Sequence, residues 1–201
     1  MEPAITKIKV GLVGLAEIMF DKFTDYSKEQ RPPEQKLYLS DGNALVLPQS
    51  NIEAFLFGID PKGCAMTFEG KKCKEYRTIG MSHVFIDEAL IPFTADGKPV
   101  TFKDFNGKQF WVHEGAPRGG TGSGRVKQEM KKRPVLKMPW ALNFTLTVVK
   151  NPLIDEQKLF NWLTLGGIQI ALGTYRPRWG RFAVETWEVV GEKKPETKKK
   201  K

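Results

Sequence analysis

Met138-Pro-Trp140-Ala-Leu142-Asn-Phe144-Thr-Leu146-Thr-Val148-Val-Lys150 alternates strictly. Trp140, Leu142, Phe144, Leu146 and Val148 fall on one side of an extended chain, and Ala141, Asn143, Thr145 and Thr147 on the other. A period of two, carried by β-branched and aromatic residues, marks a strand that buries one face. Asn151-Pro152 ends it, and Asp155 stands where a helix cap belongs, ahead of Leu159, Phe160, Leu163 and Ile170 at helical spacing. Arg181–Val190 then reads as a closing strand.

The same logic extends toward the N-terminus. Ile5–Phe20 alternates Ile8, Val10 and Leu12 with Lys7 and Lys9 and reads as a first strand, with Gly11 and Gly14 permitting a bulge or bend. Asp21–Ser40 is charged and holds Pro32-Pro33, the pattern of an excursion. Ser50 and Glu53 have the spacing of a capping box for a short helix with Ile52, Ala54, Phe55, Leu56 and Phe57 inside and Gly58 as its stop. Gly63–Arg77 reads as basic and irregular, Ile79–Leu90 as strand, and Asp96-Gly97 as a hairpin turn. Two helices alternating with strands predict an α+β fold: a ferredoxin-like or RRM-like antiparallel sheet with helices on one face. The organisation expected is one domain over residues 1–190 with an inserted, flexible thumb-like region at 91–135, followed by a disordered basic tail at 191–201.

Charge points to a class of partner. The chain has 201 residues and a formal net charge of +9. Between Gly107 and Arg133, seven cations (Lys108, Arg118, Arg125, Lys127, Lys131, Lys132 and Arg133) face two acids, a net of +5. The tail from Glu192 to Lys201 adds +4, so these two segments account for the whole excess. Five glycines between Glu114 and Arg125 predict a mobile loop there. Cations gathered on flexible segments form the electrostatic footprint of a nucleic-acid binder.

A second cationic stretch follows the C-terminal helix. Gly166-Gly-Ile-Gln-Ile-Ala-Leu-Gly173-Thr-Tyr175-Arg176-Pro-Arg178-Trp179-Gly180-Arg181 offers guanidinium groups to phosphates and the rings of Tyr175 and Trp179 to bases, and contains no acid, histidine or cysteine. The bland alternative is that Gly166-Gly167 lets the helix approach the sheet and that the two rings pack on the core edge.

Catalytic constellations are sparse. His83 falls within a predicted strand, and His113 lies beside Trp111 at the root of the basic loop. Asp21 and Asp25 follow the first strand and are the residues on which a metal-dependent nuclease reading would rest. Gly-Thr-Gly-Ser123-Gly lacks the Lys-Ser/Thr ending of a nucleotide phosphate loop. Cys64 and Cys73 match no zinc spacing and read as free thiols, so no metal or cofactor is expected. Without a signal-peptide pattern or an apolar run near the ~20 residues of a membrane span, the expected location is cytoplasmic.

Pro139-Trp-Ala-Leu-Asn-Phe-Thr-Leu, the capped helix, Gly166-Gly-Ile and Leu172-Gly-Thr-Tyr-Arg-Pro-Arg-Trp-Gly-Arg-Phe182 together resemble the end of phage- and prophage-encoded proteins and, more distantly, the RAMP superfamily. Leu47-Pro48-Gln-Ser50-Asn-Ile-Glu-Ala-Phe resembles that superfamily's proline-led helix start, and the likeness spans about residues 44–60 and 135–190. The resemblance implies an antiviral, CRISPR-associated type of protein. It further implies an RRM-like sheet with a thumb and a non-catalytic backbone subunit that assembles head-to-tail along single-stranded RNA or DNA in a prokaryotic or phage-infected cell. The catalytic histidine of the superfamily's RNA-processing enzymes has no counterpart in His83 or His113. The alternatives are the metal-dependent ribonuclease and a phage structural or interaction protein.

Overall fold

A computed structural model describes residues 4–22, 31–103, 105, 107–115 and 130–190. In chain order the strands are β1 (Ile5–Gly14), β2 (Ile18–Met19), β3 (Val46–Pro48), β4 (Val84–Ile86), β5 (Leu90–Ala95), β6 (Lys98–Pro99), β7 (Phe110–Gly115), β8 (Lys131–Leu136), β9 (Ala141–Val149) and β10 (Phe182–Val190). The helices are α1 (Gln49–Phe57), α2 (Cys64–Phe68), α3 (Cys73–His83) and α4 (Glu156–Gln169). None is long and apolar enough to cross a membrane.

The main sheet runs β10-β1-β9-β5-β3, with β4 paired to the C-terminal part of β9 beside β5. All these pairings are antiparallel. With β4 and β5 taken as one broken strand, the order is that of a ferredoxin-like sheet whose last strand lies outside the first. Ile8, Val10 and Leu12 of β1 and Leu142, Phe144, Leu146 and Val148 of β9 share one core with Phe55 of α1, Cys64 of α2 and Leu159 and Leu163 of α4. The helices therefore cover one face of the sheet, as the alternation in β9 requires.

The opposite face stays open and polar. Lys7 pairs with Asp87 at 2.8 Å and Lys9 with Glu188 at 3.4 Å. The Thr145 and Thr147 hydroxyls donate to Glu88 and Asp87. Among the described residues Phe85 is the one aromatic on this face.

A second, three-stranded sheet, β2-β8-β7, is built largely from the chain between β5 and β9. Its inner face sets Ile18, Phe110 and Leu136 into the core. Residues 116–129 join its two long strands; the glycine-rich loop and Arg118, Arg125 and Lys127 lie there, outside the described residues.

Several expectations need correction. Ile5–Phe20 is two strands in two sheets: β1 carries the bulge, between Gly11 and Leu12, and ends at Gly14, where a Cβ would run into the Trp140 indole. The capping box at Ser50 and Glu53 does not form. Pro48 is the N-cap of α1, no side chain caps it, Ser50 sits inside the first turn, and Ala54 is exposed while Ile52, Phe55, Leu56 and Phe57 are buried. Gly63–Arg77 is helical rather than irregular, and α3 continues to His83, so His83 ends a helix. Asp96-Gly97 does form its hairpin turn, at φ 50° and 74°, and Asp155 caps α4 by accepting from the Lys158 N–H at 2.8 Å.

Gly166 and Gly167 set the depth of α4 in the core. A Cβ on Gly166 would meet Phe55 Cζ at 2.6 Å and Cys64 Sγ at 2.7 Å. One on Gly167 would meet the Phe182 carbonyl oxygen at 2.5 Å, a backbone atom of β10 that cannot swing aside. Gly167→Ala is expected to lower stability by about 1–3 kcal/mol in urea unfolding. Gly42→Ala, where a Cβ meets nothing within 4 Å, should stay within ~0.5 kcal/mol. Equal losses would contradict this account of the helix–sheet contact.

Candidate nucleic-acid interface

The loop from α4 to β10 is held against the N-terminal segment by backbone hydrogen bonds. The Thr174 N–H donates to the Met19 carbonyl at 2.9 Å, the Gly180 N–H to Glu17 at 2.8 Å and the Leu15 N–H to Arg181 at 2.8 Å. Leu172 N–H closes the loop on the Gly180 carbonyl at 3.0 Å. Gly173 has φ 78° and lies so close to β2 that a Cβ would meet the Met19 carbonyl oxygen at 2.5 Å, so glycine is required twice over there. The loop is a fixed ledge along the edge of the small sheet.

Register decides which residues face this ledge. In β7 and β8, Trp111 pairs with Val135 and His113 with Arg133, so these four share the sheet's outer face. Trp179 lies over that face, 5.8 Å from Trp111 and 5.7 Å from His113 between ring centroids. Trp111 Nε1 donates to Glu17 at 3.2 Å. Tyr175 lies beneath the Arg133 guanidinium, 4.7 Å from ring centroid to Cζ, within the reach of a cation–π contact. The rings of Tyr175 and Trp179 thus pack within the protein while remaining partly exposed.

Arg133 is the most buried charge described, at 5 % exposure. Its Nε donates to Asp21 Oδ2 at 2.7 Å and its Nη1 to the Tyr175 hydroxyl at 3.3 Å. Lys36, at 7 % exposure, approaches the other Asp21 oxygen at 4.0 Å and donates to the Lys132 carbonyl at 2.7 Å. Burial depresses the Lys36 ammonium below its ordinary value; Asp21 opposes that shift, while Arg133 and Lys131 add to it. One carboxylate therefore serves two buried cations.

Beside this group opens a cleft of about 610 Å³, lined by Lys131, Arg133 and Arg176 on its cationic side and by Asp21 as its acid. Lys131 shares the outer face with Arg133 and has no ion pair among the described residues. Arg176 is partly buried, its guanidinium held below its ordinary value by desolvation, with one long hydrogen bond to the Ala171 carbonyl at 3.4 Å. The cleft also takes in Tyr38, Asn51 and Thr174. Asn51 belongs to the first turn of α1, whose N-terminus no side chain caps and whose dipole favours anions.

Of the residues singled out from sequence, the structure brings Lys131, Arg133, Tyr175 and Arg176 together at the cleft. Trp179 stands beside them against β7. Arg178 and Arg181 are exposed along the ledge, and Lys108 is exposed just before β7. Lys132 points to the other face of β8 and pairs with Glu114 at 3.0 Å. Asp21 is engaged by Arg133 and Lys36; Asp25 lies outside the described residues. Among the described residues no three His, Cys, Asp or Glu converge as a metal site. Cys64 is a buried free thiol, its pKa pushed up by burial, and Cys73 is also unpaired. Tyr38 and Asn51 carried no local signal, since only the tertiary fold brings them to the ledge, whereas Thr174 lies within it.

Asp21→Ala and Arg133→Ala, alone and combined, form a thermodynamic cycle whose expected coupling is about 0.5–3 kcal/mol. Additive single effects in chemical denaturation would contradict the assignment of Arg133 as a structural cation.

No family model matches the sequence, and no curated protein does. Among solved structures, the chain is similar to one in the cryo-EM structure of Type III-B Cmr-beta bound to cognate target RNA, with a TM-score of 0.53 and 13% identity. The match covers 92% of this chain and 60% of that one. At this identity the likeness is one of fold alone.

Proposed function

We propose that this protein binds single-stranded nucleic acid, RNA in preference, without cleaving it, and that copies assemble head-to-tail along the strand as a guide-RNA backbone subunit does. The observation that carries the reading is the convergence of Lys131, Arg133 and Arg176 on one cleft whose lining offers Asp21 as its acid. Uncompensated positive charge beside a rigid backbone ledge suits phosphates, which release counterions when neutralised. The similar chain belongs to a structure bound to target RNA, which supports RNA as the partner and a larger assembly as the setting.

The contacts divide by burial. Exposed Lys131, Arg178 and Arg181 and half-buried Arg176 are the phosphate ligands; buried Arg133 positions the ledge. Among the described residues, the open face of the main sheet lacks the paired aromatics on which RRM-type sheets stack bases, and its cations Lys7 and Lys9 are already paired with acids. A nuclease centred on Asp21 finds less support, because that carboxylate is committed to two cations.

Binding of a fluorescent single-stranded RNA across a salt series tests this. The logarithm of affinity should fall linearly with the logarithm of salt concentration, by about 0.7 per neutralised phosphate. Lys131→Ala, Arg178→Ala and Arg181→Ala should each flatten the slope by about that amount. An unchanged slope in the triple variant would remove this surface from the interface. Cleavage of the RNA at protein excess would contradict the non-catalytic assignment.

A further inference from the structure

A phosphate fills only the cationic wall of the cleft. The whole volume of about 610 Å³ falls within the ~300–1,000 Å³ typical of sites that enclose small organic ligands. Away from the cations its chemistry changes. Exposed Pro61 supplies apolar surface, while Phe20 and Leu47, which also line the cleft, belong to the core at 3 % and 1 % exposure. Tyr38 adds a ring, with Lys22 Nζ 5.4 Å from its centroid.

Asn51 contributes a carboxamide with no hydrogen-bond partner among the described residues, and the Thr174 hydroxyl is likewise unengaged. A carboxamide presents donors and an acceptor in one plane, matching the edge of a nucleobase. An anion site has no use for a proline, a tyrosine ring or a planar amide; a nucleotide uses all three.

We propose that the cleft seats one whole nucleotide of the bound strand. Its phosphate meets Lys131 and Arg176, its base lies against Pro61 and the Tyr38 ring, and the Asn51 carboxamide reads the base edge. This rests on the single-strand reading above and adds to it a position at which the protein prefers some bases over others. The recognised chemistry is a nucleoside monophosphate, presented free or within a strand.

Calorimetric titration of the full chain with each of the four ribonucleoside monophosphates, with inorganic phosphate, and with the four homopolymeric oligoribonucleotides separates the cases. At least one monophosphate should bind about tenfold or more tighter than phosphate, a difference of ~1.4 kcal/mol. The homopolymers should rank in the same order as their monophosphates. Asn51→Ala should level that ranking. Asn51→Asp, which keeps shape but loses the amide donors, should shift preference toward bases that present donors, provided circular dichroism shows both variants folded.

Monophosphates no tighter than phosphate, or a ranking untouched by both variants, would overturn the nucleotide seat. Retained oligonucleotide binding would then leave the phosphate-gripping function standing. Monophosphate binding with no oligonucleotide binding would overturn the single-strand reading and support the cleft as a seat for a free nucleotide.

Discussion

Arg133 and Asp21 form the contact on which the functional side of this molecule depends. Three separate pieces of chain meet there: β8 brings Arg133, the segment after β2 brings Asp21, and the loop before β10 brings Tyr175 under the guanidinium. Lys36 enters from a fourth. Desolvating two cations around one carboxylate gains little net stability, because the solvation each ion gives up can exceed the Coulombic return. Such a cluster is better understood as a positioning device. It fixes the ledge from Gly173 to Arg181 relative to the small sheet and leaves the region short of negative charge. Placing Lys131 and Arg176 beside that shortage creates a standing demand for anions.

The two faces of the main sheet explain why the strand is assigned to the ledge. Helices occupy one face, and on the other Lys7 and Lys9 already have acid partners. Hydrogen bonds from Lys7 and Thr147 hold the Asp87 carboxyl below its ordinary range, so that face keeps its negative charge in reserve against phosphate. The ledge differs in that its cations outnumber its acids and several have no protein partner among the described residues. Backbone stitching to Met19 and Glu17 also means that little ordering is left to be done when a ligand arrives.

What the sequence made legible, and what it hid, follows from how locally each signal is encoded. The β9 alternation, the Asp155 cap and the Asp96-Gly97 turn are decided within a few residues, and all three form. The helix α3 was invisible because Gly80 is its one fully buried residue; the Phe57 ring fills the space where a Cβ would stand, and a glycine leaves no apolar period. Ser50 and Glu53 have capping-box spacing, yet the helix begins at Gln49, directly after Pro48 and two residues ahead of the start that an N-cap at Ser50 would give. Arg133 looked like one of seven loop cations, and only the register of β8 against β7 places it on the face that the ledge and Asp21 cover. Asn51 and Tyr38 reach the cleft through sheet order alone, which no window of sequence contains.

Photo-crosslinking of a single-stranded RNA carrying 4-thiouridine, with the modified peptides identified by mass spectrometry, tests most directly where the strand lies. Crosslinks concentrated in residues 130–138 and 173–181 and in the first turn of α1 are the result predicted here. Crosslinks concentrated on the open sheet face, at Lys7, Lys9, Phe85 and Thr147, would contradict the assignment of the ledge as the nucleic-acid interface.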